Sequence, residues 1–287
     1  MLGKLMNRRI LLSILGGSLS PIYTGAASGS RLAEAPVDVL GEWHAPPAAV
    51  ARVVTRVRDA CVSGFRLLSD QQPHSLRVES RPSGQPAIWL HEAPSDTAWV
   101  FVDIGERAWS QLAYQLGHEL GHVVCNSWNV QAAPSPPCQW IEEASAEAFS
   151  LRGLGLLAEA WRRDPPFGGD SGYARSIFEY RDHTLEGYNE LASSQGLKNV
   201  RAWFKKHRHE IEADNGLSEY AKAAATVILR EIERAPILLE DLGAMNRWTE
   251  RTSIPLNNFL EKWSASCRAI HSTGRLPNLI RENFLGT

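Results

Sequence analysis

Apolar positions fall into two rhythms along this chain. After a Ser/Gly/Pro-rich lead, the stretch PPAAVARVVTRVRDACVSGF opens with paired prolines. It then places Val50, Val53, Val54, Val57 and Cys61 at three- and four-residue spacing, which predicts an amphipathic helix with proline in its first turn. Three short runs follow, SLRVES, AIWLHE and AWVFVDIG, separated by Pro, Gly and Ser, and these predict strands. The helical rhythm returns from Glu106 to about Asn126. The segment NSWNVQAAPSPP, broken by three prolines, predicts a loop. QWIEEASAEAFSLRGLGLLAEAWRR predicts a second helix, ended by DPPFGG. From about residue 170 the pattern is helical almost throughout, most clearly in KNVRAWFKKHRHEIEA, GLSEYAKAAATVILREIERA and IPLNNFLEKWSASCRAI. No internal repeat or low-complexity tract interrupts it. One helix, a small sheet, a helix pair and a helical remainder predict an α+β fold. Residues 28–168 would form the part with the small mixed sheet, and residues 169–287 the mainly helical part.

Composition narrows the field. The chain has 287 residues, long enough for one sizeable core or a catalytic domain with a helical companion. It is 44% hydrophobic and 22% charged, as globular chains are, with a net charge of -2 that gives no reason to expect a nucleic-acid partner. The N-terminus departs from the rest. Basic MLGKLMNRR, apolar ILLSILGGSLSPIY and small-residue TGAAS stand in the order of a secretory signal peptide over residues 1–27. Arg8-Arg9 also fits a twin-arginine signal. The expectation is an exported chain, periplasmic or secreted, with no membrane span after cleavage. Cys61, Cys125, Cys138 and Cys267 then fall in an oxidising setting, and an even number permits two bridges. None has C-x-x-C spacing, which disfavours a cysteine zinc site.

The chemistry gathers on the helix pair. On the helix that carries AYQLGHELGHVVCN, the residues Trp109, Leu112, Ala113, Leu116, Leu120 and Val123 form an apolar stripe. His118 and His122 stand off that stripe, one turn apart, so that both imidazoles can converge on one ion. Glu119 lies between them. A catalytic zinc takes three protein ligands and keeps a position open. The second helix offers Glu142, Glu143 and Glu147 for the third. The bland alternatives are a solvated polar face on one helix and a solvated acidic face on the other.

The two blocks HELGH and WIEEASAE together resemble the gluzincin metallopeptidases, the thermolysin-like clan, with a zincin-like fold. In motif the closer resemblance is to the aminopeptidase N and leukotriene A4 hydrolase family, whose pattern is H-E-x-x-H followed by W-L-N-E-G-x-A. The resemblance implies one zinc ion held by His118, His122 and Glu143, with Glu119 as the general base. It puts Glu147 behind a ligand histidine, Glu142 beside the ligand carboxylate, and Asn126 where that family has an asparagine after the second histidine. SEYAKAAATVILREIE resembles the family's Y-E-K-G helix. There Tyr220 would stabilise the oxyanion and Lys222 fits, although Ala223 replaces the glycine. Tyr173, Tyr180, His183 and Tyr188 remain alternatives for that role. The family's G-x-M-E-N block, which holds a free substrate amine, is missing, and AWVFVDIG occupies its region. Aminopeptidase activity is therefore not implied, and the choice between endo- and exopeptidase stays open. A strand there suits binding of a peptide as an added edge strand.

The expectation is a zinc-dependent peptidase acting on a peptide or protein substrate. Its rival is a catalytically silent envelope protein of the same fold that binds peptides or proteins. Because both ends of the proline-rich loop must converge if His122 and Glu143 share an ion, a Cys125–Cys138 bridge is expected, with Cys61–Cys267 as the second pair.

Overall fold

The computed structural model describes residues 31–82, 84–89, 96–104, 108–128, 134–168 and 172–286. The expected signal segment, Glu106 and residues 129–133 of the proline-rich loop lie outside them. Four strands, β1 (Val37–Gly41), β2 (Ser75–Ser80), β3 (Ala87–Trp89) and β4 (Thr97–Val102), form one sheet in the order β1-β2-β4-β3. β1, β2 and β4 run parallel, and β3 pairs antiparallel on β4, with Ile88 opposite Val100. The sheet is mixed and the fold α+β.

A short helix, α1 (Arg31–Glu34), precedes β1, and α2 (Pro47–Cys61) crosses from β1 to β2. Proline sits in the first turn of α2, where a missing N–H costs nothing. Its apolar stripe is buried from Val50 to Cys61 and packs with Leu76, Val78, Ala98 and Val100 of the sheet in one core. β2 alternates half-buried and buried positions, the mark of a strand with one face on that core.

α3 (Trp109–Val124) and α4 (Gln139–Arg163) follow, then α5 (Tyr173–Ser194), α6 (Val200–Ala213) and α7 (Glu219–Arg234). α6 and α7 start on side-chain caps, Asn199 accepting from the Ala202 N–H at 3.0 Å and Ser218 from the Ala221 N–H at 3.1 Å. A 3-10 segment (Pro236–Ala244), α8 (Leu256–Ala269), α9 (Arg275–Ile280) and a π-helical turn (Arg281–Leu285) complete the chain. α4 is the central element. Residues 138–154 are buried without a break, and the helix contacts α2 and α3 on one side and α5, α6 and α7 on the others. A helix buried all round reads as weakly amphipathic, and α4 ties the two halves of the chain into one apolar core. Among the described residues no helix is long and apolar enough to cross a membrane.

Candidate metal centre

Two glycines set the approach of α3 to α4. A Cβ on Gly121 would lie 2.6 Å from Ala146 Cα, and one on Gly117 would lie 2.9 Å from Ser150 Oγ. Gly117 and Gly121 on α3 thus face Ser150 and Ala146 on α4, each pair one turn apart, so the helices run antiparallel with their backbones close. Each glycine immediately precedes a histidine. The apolar stripe of α3 is buried against the sheet side, and its histidine face is buried too, because α4 covers it; His118 and His122 are 3% and 2% exposed.

That approach brings the candidate ligands together. His118 Nε2 and His122 Nε2 are 3.2 Å apart, and Glu143 Oε2 stands 3.4 Å from each. The donors of one tetrahedral ion bound at about 2.0–2.2 Å stand about 3.3–3.6 Å apart, and all three edges lie within about 0.1 Å of that range. His118, His122 and Glu143 form a buried His-His-Glu triad that could hold a metal ion. Gln139, one turn before Glu143, donates from Nε2 to Glu143 Oε1 at 3.2 Å and leaves Oε2 to face the histidines.

Each imidazole is oriented from behind by a carboxylate of α4. His118 Nδ1 meets Glu147 Oε2 at 2.8 Å and His122 Nδ1 meets Glu142 Oε1 at 2.6 Å. Such partners fix which nitrogen points inward. Glu119, Glu142, Glu143 and Glu147 are all at most 4% exposed, and the guanidinium of Arg251, 3% exposed, lies 3.5 Å from Glu142. Arg251 thus pairs with Glu142, and buried charge is tolerated where it is paired or binds metal. Burial opposes a charge on His118, yet its hydrogen bonds to Glu143 and Glu147 and the charges of Glu147 and Glu119 push its pKa up to about 10. The cluster draws in positive charge.

No protein family, curated protein or solved structure matches this chain.

The structure also assigns places to the remaining candidates. Asn126 caps α3. It holds a left-handed φ of 63°, its N–H bonds to Val123 O and the Ser127 N–H reaches back to His122 O at 2.9 Å, which closes the helix in a Schellman turn. Its side chain serves the end of the 3-10 segment and the residue after it, donating to Gly243 O and Met245 O at 2.9 and 2.7 Å. The Tyr220 hydroxyl is turned to His207 Nδ1, 3.4 Å away, and after burial the groups that raise its pKa are Glu210, Asp214 and Glu219. Tyr188 pairs with Tyr114, hydroxyl to hydroxyl at 2.8 Å, behind Glu147. Burial first, then the Glu147 charge, raises the pKa of both and of Tyr180, whose ring packs on Tyr114. Tyr173 accepts the Ser110 N–H at 3.2 Å, and His183 is exposed.

The expected disulfides are corrected. Cys61, Cys125, Cys138 and Cys267 are all buried and form no bridge. The Cys138 thiol donates to Ile254 O at 3.2 Å, Cys61 packs against Gly153 of α4, and Cys267 lies beside Gly274. These three sulfurs lie in different neighbourhoods. Burial pushes Cys61, Cys138 and Cys267 up to about 12, so these thiols stay protonated and unreactive.

Gly117, Gly121, Tyr114, Ser127, Gln139, Asn246 and Arg251 escaped the sequence reading. The glycines carried a visible signal, a Gly-His pair repeated four residues on. Asn246 and Arg251 carried none, since their partners lie more than a hundred residues earlier in the chain.

Proposed function

We propose that the chain is a zinc-dependent metallopeptidase of the gluzincin kind, acting on a peptide or protein substrate. The observation that carries the reading is the triangle of His118 Nε2, His122 Nε2 and Glu143 Oε2, whose edges of 3.2, 3.4 and 3.4 Å suit tetrahedral zinc. Three protein donors leave the fourth position for chemistry, and the neighbour in sequence to His118 is a buried carboxylate, Glu119.

His118, His122 and Glu143 would hold the ion, oriented by Glu147, Glu142 and Gln139. Bound zinc supplies Lewis acidity, which acidifies water and polarises a carbonyl. Glu119 takes a proton from the attacking water as the new C–O bond forms at the peptide carbonyl. It then delivers that proton to the leaving nitrogen as the C–N bond breaks. The burial of Glu119 and the ligands keeps these charges in a medium where each interaction is stronger than in water. Tyr220, whose hydroxyl lies 3.4 Å from His207 Nδ1, is given no step in this mechanism.

The test is metal analysis of the purified chain coupled to degradation of an unbiased peptide library. About one zinc per chain with library cleavage supports the reading. A zinc-loaded chain inert to the library would favour the silent peptide-binding alternative, and a chain with no zinc affinity would overturn the site.

A further inference from the structure

His122 and Glu143 can meet only if the two ends of the loop between α3 and α4 converge, and no covalent bridge draws them together. A strap from the far end of the chain, residues 245–254, does. From Asn246, Nδ2 donates to Cys125 O at 3.0 Å, to Ser127 Oγ at 3.2 Å and to Glu142 Oε2 at 2.9 Å. The Arg251 guanidinium bonds Ser127 Oγ and lies 3.5 Å from Glu142 Oε2. At the other end of the loop, the Ser135 N–H donates to Thr252 Oγ1 at 2.6 Å, the Cys138 N–H to Thr252 O at 3.1 Å and the Cys138 thiol to Ile254 O at 3.2 Å. Asn246 and Arg251 both hold left-handed backbone, with φ of 60° and 48°. That conformation is uncommon for a side chain as large as arginine and persists where the surroundings over-determine it.

The contacts meet on one carboxylate. Glu142 gives Oε1 to His122 Nδ1 and to the Ser127 hydroxyl, and Oε2 to Asn246 and Arg251. Glu142 is fully buried, so its orientation is set by these neighbours. We propose that Arg251, with Asn246, is a positioning residue of the metal centre, holding Glu142 so that Oε1 fixes the His122 ring with Nε2 directed at Glu143. The strap is in this sense part of the metal site, although it contributes no ligand. His118 is oriented differently, through Glu147 backed by Tyr114 and Tyr188. The two ligand histidines thus depend on separate supports, and loss of the strap acts on His122.

The inference rests on the zinc reading of the same site. The test compares wild type, Arg251→Met, Glu142→Gln and the double variant in the full-length chain. Zinc affinity is measured by chelator competition, the visible spectrum after cobalt substitution, and thermal stability without metal. Loss of an outer partner lowers metal affinity by about 10–100-fold. Arg251→Met is expected to lose about tenfold in zinc affinity, to shift the cobalt bands, and to have no further effect in the Glu142→Gln background. Arg251→Lys is expected to restore part of the loss. If Arg251→Met does not fold, Asn246→Gly, which keeps the left-handed backbone and removes the amide, carries the same expectations. A variant less stable to heat but unchanged in zinc affinity and cobalt spectrum would overturn the inference, as would full additivity with Glu142→Gln. Wild type that takes up no zinc would instead bring down the reading of the site, and this inference with it.

Discussion

Gly121→Ala is the smallest change that tests how the site is assembled. The added methyl would stand 2.6 Å from Ala146 Cα, 2.9 Å from Ala146 Cβ and 3.1 Å from Ala146 O. Carbon atoms rest about 3.5–4.0 Å apart, and neither a backbone carbon nor an alanine methyl can rotate away. Relief requires α3 and α4 to part by roughly 0.9 Å at this level. Alanine favours a helix over glycine by about 1 kcal/mol, while overpacking a core costs about 1–3 kcal/mol. The net is a loss of about 1 kcal/mol, or a Tm lowered by roughly 2–4 °C for a chain of this size. The metal centre should suffer more. His122 follows Gly121 directly, Glu142 and Glu143 precede Ala146 by one turn, and metal–ligand distances tolerate only about 0.2 Å. Zinc affinity is expected to fall at least tenfold, as for loss of an orienting partner. Chelator competition and thermal melts with and without zinc measure both terms. Gly117→Ala is the control. Its methyl meets Ser150 Oγ at 2.9 Å, a side-chain atom that can shift at the cost of its hydrogen bond to Tyr114 O, whereas that of Gly121 meets backbone, so its effect should be smaller. Unchanged zinc affinity and Tm in Gly121→Ala would refute the account of backbone approach.

Glu119→Gln is expected to fold and retain zinc while peptide hydrolysis falls by about 100-fold or more, because an amide cannot accept the proton from water; turnover within a factor of a few of wild type would remove Glu119 from the mechanism. With the His118 pKa near 10, the ion-free site holds a proton that zinc must displace, since a ligating imidazole is neutral. Zinc affinity should therefore rise about tenfold per unit between about pH 7 and 9, with roughly one proton released per ion, and titrations in buffers of different ionisation enthalpy would show if it does not. All four cysteines should resist alkylation in the native chain and react after denaturation without reductant; a pair that stays unreactive when unfolded would restore the expected bridge.

Much of the fold could be read in the pattern. β2 and α4 have the bounds their sequences predict, Ser75–Ser80 and Gln139–Arg163, because alternation in one, and a proline-rich loop before and DPPFGG after the other, leave little choice. β1 was hidden in the lead. It is a five-residue edge strand with Asp38, Leu40 and Gly41 exposed; its apolar face is only Val37 and Val39, half-buried against the core, too short a pattern to stand out, and it is paired by β2. The 3-10 segment Pro236–Ala244 is nearly all buried, and a run buried on every side has no period to find. In the site, the local spacing of His118, His122, Glu143 and Glu147 was informative because both helices are regular. The clamp on Glu142 was not, because it depends on where the chain returns after α7.

That return also explains why the bridge expectation and the structure differ while sharing a premise. The ends of the loop after α3 must be held together, and a disulfide would have joined Cys125 to Cys138 while giving nothing to Glu142. That carboxylate is fully buried and carries the orientation of His122, so it needs donors on its second oxygen as well as on its first. A strap supplies both requirements at once. Thr252 and Ile254 take the loop end at Cys138, Asn246 takes the end at Cys125, and Asn246 and Arg251 complete Glu142 between them. The arrangement makes the geometry of α3 and α4 conditional on the C-terminal half being folded, since the strap is held in turn by α8 through Arg247 on Ser266 and by the ring of Trp248 on Phe259. A helix pair excised from this chain would keep the histidines, the glutamates and the glycines in its sequence, yet lack the groups that aim His122.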